Sequence, residues 1–545
     1  MMNNYRSAYL TALFLMLYSF NLNLKAQTHS DSTHLPEKWL TTPEKSNYEQ
    51  TSTHQDVIDL LQLYIEHQAF MRLDTLGFSP NGKLIPVVVL ANPMVNSFVE
   101  AQKSKLPIAY LQGNIHAGEV EGKEALLMLL REFALGNYAH LLKDRILLIN
   151  PIYNSDSNDE MEAGIRPSQE DSPKMVGQRP NSQGYDLNRD GVKTDATETL
   201  AAHKMLQNWD PDLFVDFHTT NGTWHGYSLT WAPAYHTAGD STLFNYSWYK
   251  MLPTITEMVK EKYDLDFGPY GWYNLREGWP PKSIQTYNHH PRYLVNQMGL
   301  RNRMAILSET FAHDRFYHRI NAAYAFGEQI LAFFAEEGSQ IKALNDAADE
   351  KMDKVQGELK GVRFTKKPLS ETFTLKTYDY TSYTTTDGNL SYVRAPGIVH
   401  YKNIQNYSAF EPTESMRIPK AYYVPKELTA VIDQLKILGI EMQPLNKKMN
   451  ANVEPFMIRN YKQADRAFQG HKMVEITEYT LNKPEKRRLE ANGFLVPTNQ
   501  KLGYLAFYVL EALSDDGLVA WNFLDQFMEK QQAKSFEYPI LRVVD

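Results

Sequence analysis

Apolar and polar positions along residues 55–336 change period repeatedly, and each change marks an element. The spacing of Gln55–Phe70 predicts a first helix. A turn at Pro80-Asn81-Gly82 precedes a strand-like run over Ile85–Leu90, and LPIAYL (Leu106–Leu111) reads as a second strand. EALLMLLREFAL from Glu124 returns to helical spacing, and Arg145–Ile149 is again strand-like. After a long irregular stretch, 150–184, come a helix over Thr197–Trp209, the apolar run DLFVDF from Asp212 and a helix over Leu252–Glu261. The series closes with a strand over Met304–Leu307 and a helix from Arg315 to Glu336. Alternating periods of 2 and 3.6 predict an α/β fold, a central sheet flanked by helices.

The pattern then changes. A charged stretch, 338–358, leads to a Thr/Tyr-rich alternating run over Thr372–Tyr392, then KAYYVP, the helix-like LTAVIDQLKILG and the alternating KMVEITEYTL. Residues 359–545 therefore read as a smaller C-terminal α+β or β-rich region, one domain or two subdomains. At the other end, Arg6, the apolar core Tyr9–Tyr18 and Leu24-Lys25-Ala26 have the form of a secretory signal over residues 1–26. That core is too short to favour a permanent membrane span. Residues 27–45 read as a linker and 46–337 as the catalytic domain.

Composition narrows the setting. The 545 residues are 43% hydrophobic and 22% charged, with a formal net charge of -8 and no long basic tract, which disfavours a nucleic-acid partner. There is no cysteine, so no disulfide stabilises the fold. An exported protein without disulfides fits a bacterial periplasm or exterior best.

Candidate chemistry gathers where strands end. His116-x-x-Glu119 follows the Leu106 strand, and His218 ends the LFVDF strand. Open α/β sheets hold ligands at such strand ends. Two imidazoles and one carboxylate form the donor set of a catalytic zinc site, one ion per chain, with a coordination position left over. Glu309 ends the last strand of the series, where a carboxylate can take a proton from attacking water and pass it to a leaving amine. GYDLNRD (184–190) supplies Asp186, suited to orient a ligand imidazole, and Asn188 with Arg189, suited to grip a carboxylate. If the segment is extended, alternation sends Asp186 and Asn188 one way and Arg189 the other. Arg179 is a candidate for stabilising an oxyanion. Asp216 shares a strand face with His218 and either supports it or binds a basic group. Trp224 and His225 either line the substrate approach or pack, and His289-His290-Pro291-Arg292 either edges a pocket or caps a loop.

His116-x-x-Glu119, the DLNR run, His218 and Glu309 together resemble the M14 family of zinc carboxypeptidases, the funnelin metallopeptidases, over about residues 45–335. The resemblance implies a mixed central sheet, zinc on His116, Glu119 and His218, and Glu309 as general base. It also implies that Asp186 supports the first histidine and that Asn188 and Arg189 bind the substrate's terminal carboxylate. Arg179 becomes the oxyanion residue, with Arg166 also compatible by spacing, and Tyr287 a substrate-contacting tyrosine. DLNRD replaces the digestive enzymes' DLNRN followed by an aromatic, and the loops around Trp224, Trp272 and Trp279 have no counterpart in them. These departures point to a distinct bacterial branch whose substrate need not be an ordinary protein C-terminus, while the resemblance implies a peptide or peptide-like substrate with a free carboxylate. Murein stem peptides or N-acyl amino acids are alternative substrates, and a non-catalytic peptide- or glycan-binding protein is the alternative outside enzymes.

Overall fold

The computed structural model describes residues 35–235, 238–531 and 535–545. The proposed signal segment, 1–26, lies outside the described residues. Residues up to Leu40 form a separate unit whose described part contains one 3-10 turn, Glu37–Trp39, and residues 41–545 form a second, compact unit. Among the described residues no helix is long and apolar enough to cross a membrane.

The large unit is built on an eight-stranded mixed sheet. Its strands are β1 (Met71–Phe78), β2 (Leu84–Ala91), β3 (Ile108–Gly113), β4 (Ile146–Asn150), β5 (Leu213–Thr219), β6 (Leu229–Pro233), β7 (Phe267–Pro269) and β8 (Met304–Thr310), in the order β1-β2-β4-β3-β5-β8-β6-β7. β4, β3, β5 and β8 run parallel, β2 is antiparallel to both of its neighbours, and β6 is antiparallel to β8 but parallel to β7. The helices are α1 (His54–Ile65), α2 (Glu121–Ala134), α3 (Thr197–Trp209) and α4 (Phe316–Lys351). Strands β3, β4 and β5 are buried along their whole length, which is why they read as unbroken apolar runs.

Alternation on β5 divides the two faces. Phe214 points into a core with Ala202, Met205, Leu206 and Trp209 of α3. Phe217 points the other way, beneath α2, where a Cβ on Gly122 would lie 2.3 Å from the Phe217 Cβ. Glycine at 122 therefore sets how closely α2 seats on the strand that carries His218. Arg319 of α4 donates to Glu121 at 2.7 Å, both side chains fully buried, and to the Ser172 carbonyl at 2.8 Å. Breaking such a pair leaves an uncompensated buried charge and costs roughly 3–5 kcal/mol.

Two expectations need correction. The stretch expected as linker up to residue 45 is ordered from Thr41. A capping box between Thr41 and Glu44 opens a short helix, Thr42–Lys45, and Glu44 pairs with buried Arg131 of α2 at 2.6 Å. Helix α4 does not stop at Glu336 but continues to Lys351, so most of the stretch read as a charged connection is helical. Its burial explains this, since Ile341, Asn345 and Ala348 face inward beneath an otherwise charged surface. The Thr/Tyr-rich run is β structure as expected, and forms one long hairpin of β10 (Phe373–Thr384) and β11 (Leu390–Tyr407), flanked by the paired strands β9 (Leu359–Lys367) and β12 (Ala409–Arg417).

Beyond these strands, a six-stranded antiparallel sheet containing Ala421–Val424 and Leu541–Val543 packs with the helix Gly503–Leu510. That core also takes in Val192 and Leu300 from the earlier part of the chain.

Candidate metal centre and active site

The parallel strands β3, β5 and β8 end at the same sheet edge, and the site stands there. Past β3 the Glu119 amide donates to the His116 carbonyl at 2.9 Å, so H-x-x-E closes into a turn that turns both side chains inward. On β5 and β8, His218 and Glu309 are in register as neighbours. His116, Glu119 and His218 are all buried, and one donor atom from each lies within 4.8 Å of the others.

The donor geometry fits a divalent cation. His116 Nδ1 faces Glu119 Oε1 at 3.1 Å and His218 Nδ1 faces Glu119 Oε2 at 2.9 Å. The far nitrogen of each ring meets an aspartate, Nε2 of His116 at 3.0 Å from Asp186 Oδ1 and Nε2 of His218 at 3.0 Å from Asp216 Oδ2. Each imidazole thus spends Nε2 on a carboxylate and presents Nδ1 to the common point, the arrangement that orients metal-ligating histidines. His₂Glu is the donor set of a single catalytic zinc. Asp216, fully buried, supports a ligand and offers nothing to a basic substrate group.

Charge is concentrated here. Burial alone would raise the Glu119 carboxyl, but His116 and Arg166, with the His218 hydrogen bond, hold it well below the usual range. Burial likewise opposes ionisation of Asp186, and His116, Arg179 and Arg189 more than offset it. Burial would lower His218, yet Asp216 and Glu119 raise it well above the ordinary imidazole value. Glu309 behaves oppositely. Burial pushes its carboxyl up to about 8, Glu119 adds to the rise, and His218 and the two arginines only partly counter it.

A cavity of about 620 Å³ opens over this edge, and His116, Glu119, His218, Glu309, Arg179, Asn188, Arg189 and Tyr287 all line it. Arg166 lines it too, 2.9 Å from Glu119 Oε1, and among the described residues its buried Nε has no hydrogen-bond partner. Arg179 is tied at two points, to Asp186 Oδ2 at 3.0 Å and to Glu119 Oε1 at 3.5 Å. Both arginines come from the irregular stretch after β4, which here forms the cavity wall. The Ala117 amide donates to the Gln178 carbonyl at 3.2 Å and holds that wall against the ligand turn.

The DLNR segment is not extended. Asp186 caps a 3-10 turn, Leu187–Arg189, its side chain accepting from the Asn188 amide at 3.0 Å. That bend brings Asp186, Asn188 and Arg189 to one site, which alternation along a strand forbids. Arg189 lies over the Tyr293 ring at 4.5 Å. The Asp186 amide donates to Gln469 Oε1 at 3.0 Å, a contact from the C-terminal region that no local pattern announces.

Trp224 and His225 do not line the cavity. Trp224 stacks on His313 at 3.7 Å with the Arg394 guanidinium also on its ring, and His225 is buried, its imidazole pushed down to about 3. Trp279 donates to Asp379 away from the site, whereas Trp272 is a wall residue. His289 and His290 both face Asp515, at 3.1 and 3.8 Å.

The chain is similar to known proteins over the part that carries this site. The family model described as zinc carboxypeptidase matches residues 57–279, a stretch that includes every metal ligand and ends before Glu309. Carboxypeptidase 2 of Trichophyton rubrum is 22% identical over 490 residues, covering 87% of this chain and 83% of that protein. Among solved structures, a metallo-carboxypeptidase from Burkholderia cenocepacia superposes with a TM-score of 0.36 at 16% identity, covering 51% of this chain and 68% of the other. Carboxypeptidase A from Helicoverpa armigera gives a TM-score of 0.37 at 14% identity, covering 61% and 82%. With its His₂Glu centre set at the sheet edge within the matched stretch, this chain carries an M14-type, carboxypeptidase-like domain with a zinc-carboxypeptidase catalytic architecture.

Proposed function

We propose that the protein is a zinc-dependent carboxypeptidase that hydrolyses the amide bond next to the terminal carboxylate of a peptide. The observation that carries this reading is the His₂Glu centre with Arg189 and Glu309 lining one cavity. Zinc, when held by His116, Glu119 and His218, supplies a Lewis acid that acidifies water and polarises the scissile carbonyl. Arg189 and Asn188 hold the terminal carboxylate and set the register of the scissile bond. Glu309 takes a proton from the attacking water and delivers it to the departing amine. Its high pKa in the metal-free protein suits the second task. Arg179, or Arg166 beside it, stabilises the tetrahedral oxyanion.

We also read the chain as an exported protein of a bacterial branch. The signal-like pattern of residues 1–26 and the absence of cysteine support that, while the relative named above is fungal. The experiment is metal removal with blocked dipeptides as substrates. Chelation is expected to abolish release of the C-terminal amino acid, and one equivalent of zinc per chain to restore it. Release that persists in the stripped protein would contradict the proposal.

A further inference from the structure

The cavity contains one cation that none of this chemistry uses. Lys366 belongs to β9, in the C-terminal region, outside the stretch that matches the family, yet it lines the same cavity as Glu309. Period-2 alternation puts it on the same strand face as Phe364, whose ring packs into the C-terminal core, so the lysine points inward. Its ammonium sits 4.6 Å from the Trp272 ring centroid and 3.3 Å from Gln285 Oε1. Among the described residues no carboxylate pairs with it, and burial alone displaces its pKa, downward. A half-buried ammonium facing a cavity, with only a neutral amide oxygen and a ring beside it, suits an anionic ligand group.

The wall between Lys366 and Arg189 is aromatic and continuous. Arg189 lies on Tyr293, Tyr293 meets Tyr287 at 5.0 Å, Tyr287 meets Tyr270 at 6.0 Å, and Tyr270 meets Trp272 beneath Lys366 at 6.3 Å. A guanidinium therefore closes one end of an apolar arc and an ammonium the other. The cavity's remaining cations, Arg166 and Arg179, are both engaged by Glu119.

We propose that Lys366 binds a carboxylate on the side chain of the substrate's terminal residue, so that the enzyme prefers peptides ending in aspartate or glutamate. This rests on the carboxypeptidase reading, with the α-carboxylate on Arg189 and the side-chain carboxylate directed across the cavity to the ammonium. A lysine that only seats β9 on Trp272 would leave selectivity unaffected. The experiment compares N-acyl dipeptides ending in Glu, in its neutral isostere Gln and in Lys, using the full zinc-loaded chain and its Lys366→Met, Lys366→Arg and Lys366→Glu variants. A charge-assisted contact predicts a Glu/Gln ratio in kcat/KM of about tenfold or more. The ratio should collapse in Lys366→Met, survive in Lys366→Arg, and give way to a preference for Lys in Lys366→Glu. A ratio of one in the natural protein, or one that Lys366→Met leaves in place, overturns the proposal, as does acceleration by an acidic residue only at the penultimate position. Calorimetric binding of N-acetyl-glutamate against N-acetyl-glutamine to the metal-free protein separates the two readings. Lysine-dependent preference for the diacid without turnover of any peptide would sink the peptidase reading and leave this subsite standing. No such preference there overturns the subsite.

Discussion

Each metal-facing imidazole is backed by an aspartate, and the two aspartates differ in how visible they are from the sequence. Asp216 lies two residues before His218 on one strand, so period-2 alternation alone puts them on one face. Asp186 is seventy residues from His116 and reaches it only because it caps a turn. Among the arginines, the resemblance favours Arg179 and spacing leaves Arg166 open, and the structure puts both Arg166 and Arg179 on Glu119 and ties only Arg179 to Asp186 as well. Loss of an oxyanion donor typically costs about 10²–10³ in kcat. Arg179→Ala and Arg166→Ala, compared by steady-state kinetics, should divide accordingly. The oxyanion residue loses kcat by that factor, whereas a residue that only neutralises Glu119 shows its loss mainly in zinc affinity.

At the scale of elements, helices and strands with strong periodicity were legible. Thr197–Trp209 was read to the residue, and β3, β4, β5 and β8 were found with ends shifted by a few positions. The DLNR turn is not legible in the sequence, because a short polar run broken by Leu187 carries no period and only the Asp186 cap reveals the bend. Helix α4 was cut short because its last turns expose mostly charge. What steadies the DLNR turn is also invisible locally. A loop joining the strands Phe456–Gln463 and Val474–Leu481 reaches it through Gln469, and His471 of the same loop pairs with Asp195 at 2.9 Å. The Asp195 hydrogen bond raises the His471 pKa above its ordinary value despite burial, with Asn522 adding and Lys193 opposing. The sign follows from linkage. A histidine whose folded pKa is raised stabilises fully below the unfolded value near 6.5, and that contribution is lost as pH rises through the raised value. The Tm difference between the natural protein and His471→Gln should accordingly be largest below about pH 6.5 and shrink above it. A difference that grows with pH would contradict the pairing.

For the whole molecule, the sequence suggested a catalytic domain followed by an accessory region. The structure instead shows the C-terminal residues built into the catalytic surroundings. Arg292 donates to Asp516, with its guanidinium over Trp521, and His289 meets Asp515. The short strand Ser283–Gln285 joins β11 in parallel, while Lys366 enters the cavity itself. None of these contacts could be read from the chain, since each joins residues more than eighty positions apart and depends on how two sheets meet. The metal ligands and base were legible because they stand at strand ends, where an α/β sheet presents its chemistry whatever surrounds it. The central claim is that this site removes single residues from a peptide's carboxyl end with Glu309 as the proton carrier. Mass-resolved product analysis of a mixed pool of peptides, murein stem peptides and N-acyl amino acids tests it most directly, with the zinc-loaded natural protein and Glu309→Gln run side by side. Loss of single C-terminal residues by the natural protein and none by the variant is the expected result, with zinc retained in both. Internal cleavage, products from acyl amino acids alone, or equal turnover by Glu309→Gln would contradict it.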